Sequence, residues 1–251
     1  MEHYALPAEV YGAGLVFARV GALVMLMPGV GETAVPPRAR LAFAFMLALV
    51  LYPVVRGALP AVPSTVGGLA SQVVTEALIG LGIGALMRLF LSALTVAGEI
   101  ISIQTTLSFA QTVNPLQAQP TATLSTFLTL IGVTLIFATD LHQLFIAAIA
   151  RSYALFSPTK PLPVHDFVAL AVRTTGGTFA LGVQLAAPVI VFSMIFNIAA
   201  GLIGRAMPQF QIFFVATPLT VLFGLSIFAL GLGVFGLVWV DRFRGFLGQF
   251  A

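Results

Sequence analysis

Arg19, Glu76, Arg88, Glu99, Asp140 and Arg205 are ionisable side chains set within or beside long apolar runs, and His142 is a titratable neighbour of Asp140. A charge in such a run is costly and usually faces protein or water, so each of the six is a functional candidate. Two chemistries suit them. Glu76, Glu99 and Asp140 could carry protons in a proton-driven transporter. Alternatively, opposite charges pair across helices and lock their packing, a reading favoured by the near balance of arginines and acids. Glu76, Gly80, Gly84 and Arg88 recur every four residues, tracing a slowly turning ridge on one helix, and Asn197, Gly201 and Arg205 repeat the spacing. Gly80 and Gly84 form a small-xxx-small pair that allows close helix approach. Such spacing signals packing rather than chemistry.

Catalytic constellations are absent from the sequence. There is no H-E-x-x-H, paired-aspartate, G-x-S-x-G or P-loop pattern. His3, His142 and His165 are scattered without metal-ligand spacing, and the cysteine count of 0 removes disulfides, thiolate catalysis and cysteine metal sites. The expectation is a protein that is not an enzyme, with no catalytic residue, metal or cofactor.

The elements that must position these charges follow from composition. Of 251 residues, 59% are hydrophobic and 8% charged, where an average soluble chain carries about a quarter charged residues. That is too little charge to coat a water-facing surface, which excludes a soluble globular protein and a disordered one. The net charge of +3 comes without any cluster of Lys and Arg, which excludes a nucleic-acid binder. The start, Met1-Glu2-His3, lacks the basic region of a secretory leader, and Arg19 interrupts the first apolar run. A bilayer-crossing helix needs about 20 apolar residues, and six segments qualify: 10–28, 39–56, 73–98, 124–150, 178–204 and 212–240. The longest polar connections are 99–123 and 151–177, and the whole chain, 1–251, reads as one membrane-embedded unit. Prolines 28, 36, 37, 53, 60 and 63 punctuate the early connections, whereas Pro188 and Pro218 fall inside spans and should kink or break them. Backbone freed in this way is tolerated at membrane depth only beside protein or water. Arg56, Arg151, Lys160, Arg173, Arg242 and Arg244 would share one side with both termini, against Arg38, Arg40 and Arg205 on the other, so the positive-inside rule puts the termini in the cytoplasm.

One uncharged stretch differs from the rest. Residues 104–120 are rich in amides, hydroxyls and prolines, too polar for lipid and too neutral for an ordinary solvated loop. A pore lining or a contact with partner subunits suits that composition, and so does a plain re-entrant loop. Met25, Met27, Met194 and Met207 could form a flexible gasket, though ordinary core packing accounts for them.

Taken in order, several pieces resemble the FliR family, a membrane component of the flagellar type III protein export gate with injectisome counterparts. They are Arg19-Val20-Gly21 before Pro28, Pro36-Pro37-Arg38-Ala39-Arg40, Glu76 with Gly80, Gly82 and Gly84, and Ala97-Gly98-Glu99 with Gln104. Ser108-Phe109-Ala110 before Asn114-Pro115 and Phe137 before Asp140-Leu141-His142 follow, and the densest match runs from Asn197 to Gln209, continuing through Phe213 and Pro218. The sequence departs from the family pattern at Thr105-Thr106, where a glycine is usual after the glutamine, at Asn114, where Asp is commoner, and at Leu141, often Gly.

The resemblance implies an all-α polytopic membrane protein whose helical segments form bent hairpins packed in a spiral export-gate complex. It would sit in the bacterial inner membrane at the flagellar basal body. Its partners would be FliP-like and FliQ-like subunits, FlhB-like and FlhA-like export components, and unfolded protein substrates in transit. The family's plug loop maps onto 106–122, with Leu107, Phe109, Asn114, Pro115 and Leu116 as candidates for the pore constriction. Two alternatives stand beside it: an injectisome export-gate subunit, and a small proton-coupled secondary transporter, although no inverted repeat is visible.

Overall fold

The apolar runs form helices throughout. The computed structural model describes residues 6–108, 123–158, 164–207, 209 and 211–250, and among these there are seven α-helices, one 3-10 turn and no strand. They are α1 (Leu6–Leu26), α2 (Pro37–Val55), α3 (Val66–Gln104), α4 (Thr123–Ala138), α5 (Leu141–Leu155), α6 (Val164–Ala206) and α7 (Ile212–Leu247), with the 3-10 turn at Arg56–Ala58. Five are long and apolar enough to cross a membrane, and the α4–α5 pair, bent by 76°, makes up to six.

Local sequence explains several boundaries. Pro37 starts α2 at its first position, where the missing N–H costs nothing, behind an extended Pro36. Gly29, with φ 85°, turns the chain after α1, and Gly31 N–H closes that turn on Met27 O at 2.7 Å. Other boundaries correct the sequence reading. Pro53 lies inside α2 rather than in a connection. Residues 66–72 and 99–104, read as connections, are helix, and so are 151–155 and 164–177. The segment 124–150 is not one straight helix but breaks at Thr139–Asp140, where Asp140 adopts a left-handed φ of 58°. Pro188 and Pro218 break neither α6 nor α7, which run on as helix through them.

The long helices exceed what a bilayer requires. At 1.5 Å per residue, the 39 residues of α3, 43 of α6 and 36 of α7 extend about 58, 64 and 54 Å, against about 30 Å of hydrocarbon.

The chain divides into two compact units. The first comprises Met1–Phe90, Ile136–Thr175 and Arg242–Ala251. Its core includes Leu15, Val16, Val20 and Leu23 of α1 with Ile79, Ile83 and Met87 of α3. Phe90 stacks on Phe243 and Phe246 at centroid distances of 4.9 and 5.0 Å, and Phe145 meets Phe243 edge-on at 5.6 Å. Offset-stacked and edge-on pairs of this kind add to the area they bury. The second unit comprises Leu91–Leu135 and Gly176–Asp241. Leu94, Ala97 and Ile101 of α3, Leu128 of α4, Leu181 and Ala186 of α6, and Trp239 of α7 are buried within it.

Candidate functional site

Arg19 is wholly buried in α1, and Glu76, on α3, is 1% exposed. A guanidinium cannot shed its charge, so burial obliges it to find acceptors for its donors. Its Nε donates to Glu76 Oε2 at 2.6 Å and its Nη2 to Oε1 at 2.9 Å, a two-pronged pair. Nη2 also donates to the Phe156 carbonyl at 2.9 Å, and Nη1 to Ser152 Oγ at 3.1 Å. The Tyr153 ring covers the guanidinium carbon at 3.9 Å. One arginine thus ties α1 to α3, to α5 and to the residue that ends α5.

The glycines explain how the helices come close enough. A Cβ on Gly80 would strike the Arg19 carbonyl, and one on Gly84 would lie 2.9 Å from Leu26 Cβ and 3.0 Å from the Leu23 carbonyl. Glu76, Gly80 and Gly84 therefore form one ridge seated on α1. Arg88, next in the series, is exposed, with no ion pair among the described residues.

A second polar cluster lies in the other unit, where α3 ends. Ser193 Oγ on α6 donates to Gln104 Oε1 at 2.7 Å, sharing its proton with Ile190 O at 3.0 Å. Thr105, fully buried, bonds back to Ile101 O at 2.8 Å and points its methyl at Gly224 of α7, where a Cβ would sit 2.5 Å from Thr105 Cγ2. Thr106 then enters the left-handed region at φ 59°, its N–H bonded to Ile103 O at 3.1 Å. This is the conformation that glycine adopts freely at helix ends. On α4, Ser125 Oγ donates to the Thr95 carbonyl at 3.1 Å, and a Cβ on Gly98 would lie 2.5 Å from Ser125 Cα.

The remaining sequence candidates take no part in these contacts. Glu99, Asn197, Gly201 and Arg205 are exposed, and nothing lies within 4 Å of a Cβ added at Gly201. Asp140 is 72% exposed and stands 4.0 Å from His142 Nε2, while His142 stacks on Phe137 at 5.6 Å. Leu107 is half-buried in the turn after α3. Phe109, Asn114, Pro115 and Leu116 lie outside the described residues.

Sequence reasoning missed Ser152, Tyr153, the Phe156 carbonyl, Ser193 and Gly224. The signal for the first two was present: Leu141, Phe145, Ala148, Ile149, Ser152 and Tyr153 share the buried stripe of α5 at helical spacing. Ser193 and Gly224 stand among apolar residues with no local mark.

Comparison with known proteins fits this architecture. A family described as bacterial export proteins, family 1, matches residues 10–246. A protein of Caulobacter vibrioides named flagellar biosynthetic protein FliR is 56% identical over 250 residues, covering 100% of both chains. Proteins with the same name from Pectobacterium carotovorum and Escherichia coli are 32% and 31% identical over 83% and 84% of this chain, and over 79% and 80% of their own lengths. With a match that spans both compact units and a near relative aligned end to end, the chain belongs to family 1 of the bacterial export proteins.

Proposed function

We propose that this chain is the FliR-type subunit of a flagellar protein export gate, forming with FliP-like and FliQ-like subunits the entry pore for unfolded export substrates in the inner membrane. The observation that carries this reading is the 56% identity, over full length, to a protein named for flagellar biosynthesis. The faces of α6 and α7 support it. Met194, Ile195, Leu202 and Phe214 are 64 to 78% exposed, and Leu230 is 87% exposed. Lipid or neighbouring subunits must cover surfaces this apolar. In this reading FlhB-like and FlhA-like components contact the gate, and Leu107, Phe109, Asn114, Pro115 and Leu116 narrow its pore. Arg19 and Glu76 serve as a structural joint, since both Glu76 oxygens accept hydrogen bonds from Arg19.

Affinity purification of the tagged chain from native membranes in mild detergent tests the reading. FliP-like and FliQ-like polypeptides should accompany it in a stable complex, and loss of the chain should abolish flagellin export. Recovery of the chain alone, with proton-coupled uptake in proteoliposomes, would overturn it in favour of a transporter. Loss of virulence-effector secretion with motility intact would move it to an injectisome.

A further inference from the structure

We infer that the end of α3 and the start of α4 are two fixed anchors for the chain between them, with Gln104, Thr105, Ser193 and Gly224 as positioning residues at the exit and Gly98 and Ser125 at the return. The inference rests on the reading of that chain as the pore constriction, and it assigns residues that hold the constriction without lining it.

Helix ends leave unsatisfied carbonyls and fray readily. The end of α3 is gripped instead. Thr105 is 0% exposed and Ser193 is 1% exposed. A serine in a helix satisfies itself on its own backbone, as Ser193 does on Ile190 O, so its closer approach to Gln104 Oε1, at 2.7 Å, adds a link between helices. The bond from Thr105 Oγ1 to Ile101 O fixes the side-chain rotamer that presents Cγ2 to Gly224. Glycine weakens a helix interior. Gly231 and Gly233 on the same helix meet nothing within 4 Å, whereas Gly224 is the notch that Thr105 fills. Immediately beyond, Thr106 turns left-handed at φ 59°, so the chain leaves α3 abruptly from a held residue. At the return, Ser125 lies in the first turn of α4, its hydroxyl on the Thr95 carbonyl and its backbone against Gly98. By contrast, α6 finishes in Ile203, Arg205 and Ala206, all exposed.

The consequence is mechanical. Neither helix end can unwind without breaking a buried contact.

The test uses assembled gates purified with their partner subunits and reconstituted in planar bilayers. Ser193→Ala and Gly224→Ala should each raise resting ion conductance about fivefold, the population shift expected from losing one buried contact, with partner co-purification unchanged. Ser193→Thr should restore the wild-type level. Thr134→Ala, which removes a hydroxyl bonded, among the described residues, only within its own helix, should change nothing. Deletion of 110–118 is run in parallel. If the deletion raises conductance and the Ser193 and Gly224 variants do not, the anchors are refuted while the constriction reading stands. If the deletion leaves conductance unchanged, the constriction reading falls. A second readout judges the anchors by themselves. The native chain has no cysteine, so spin labels at Ile103 and Thr126 report one distance. A narrow distribution that Ser193→Ala broadens supports anchoring, and a broad one in the wild type overturns it whatever the conductance shows.

Discussion

Gly80 of α3 lies directly against the backbone carbonyl of Arg19 on α1, one helical turn from Glu76, which holds that same arginine's side chain. The close approach and the ion pair are therefore one joint. The glycine brings the backbones together, and the carboxylate then meets a guanidinium buried beside it.

Breaking the pair from one side leaves an uncompensated buried charge, which costs about 3–5 kcal/mol. Glu76→Gln should lower the stability of the detergent-solubilised protein by that order. Arg19→Met combined with Glu76→Leu should cost much less, because apolar replacement of both partners is often close to neutral. Unfolding titrations of the two singles and the double measure the coupling, and a loss in the double equal to the sum of the two singles would show that the pair contributes nothing specific.

Glycines of the same spacing should respond oppositely. Gly80→Ala drives a methyl into the Arg19 carbonyl, and relieving such overpacking costs about 1–3 kcal/mol. Gly201 has open space around it, so Gly201→Ala should be neutral or stabilise the isolated chain by up to about 1 kcal/mol through helix propensity. Thermal unfolding of both variants in one detergent compares them. If Gly201→Ala spared the isolated chain but lowered recovery of partner subunits, that face would be one the assembly covers.

Tyr153 covers Arg19 with its ring, yet its hydroxyl is buried with no partner among the described residues. An unsatisfied buried hydroxyl costs about 1–3 kcal/mol. Tyr153→Phe keeps the ring and should match or exceed wild-type stability, whereas Tyr153→Leu should lose the cation–π contact, worth about 1–2 kcal/mol where water is excluded. A Tyr153→Phe variant less stable than Tyr153→Leu would contradict this assignment.

A β-branched residue in the left-handed region is strained by about 1–2 kcal/mol. Thr106→Gly removes that strain and gives part of it back as chain entropy, so a net gain of about 0.5–1 kcal/mol is expected. Asp140 occupies the same region at φ 58°, but aspartate tolerates it better. Asp140→Gly should thus gain less than Thr106→Gly, and Asp140→Val should lose about 1 kcal/mol or more. Melting temperatures of the four proteins rank them.

The fold class was legible because long apolar runs with so few charges admit little but helices. Their lengths were not. A run of hydropathy stops at Gln72 or Glu99, yet the backbone of a helix satisfies itself and continues through such residues, as α3 does from Val66 to Gln104. The bend at Asp140 was hidden because neither glycine nor proline marks it. Of the candidate site, the ridge of Glu76, Gly80 and Gly84 could be read as a packing surface, since spacing every four residues is a local property. That Arg19 is its partner could not be, because 57 residues separate Arg19 from Glu76 and nothing in the chain between them encodes the meeting. Ser193 and Gly224 escaped for the same reason: their importance lies in what arrives beside them.

That separation matters while the protein is being made. Arg19 emerges from the ribosome well before Glu76, and Ser152 and Phe156 follow 133 and 137 residues after it. A lone arginine at the centre of a helix costs about 2.5–3.5 kcal/mol on insertion, which offsets much of what the apolar residues of the first helix contribute. Synthesis of Glu76 supplies the partner that relieves this cost. A nascent chain arrested before Glu76 should therefore insert its first span less completely than one arrested after it.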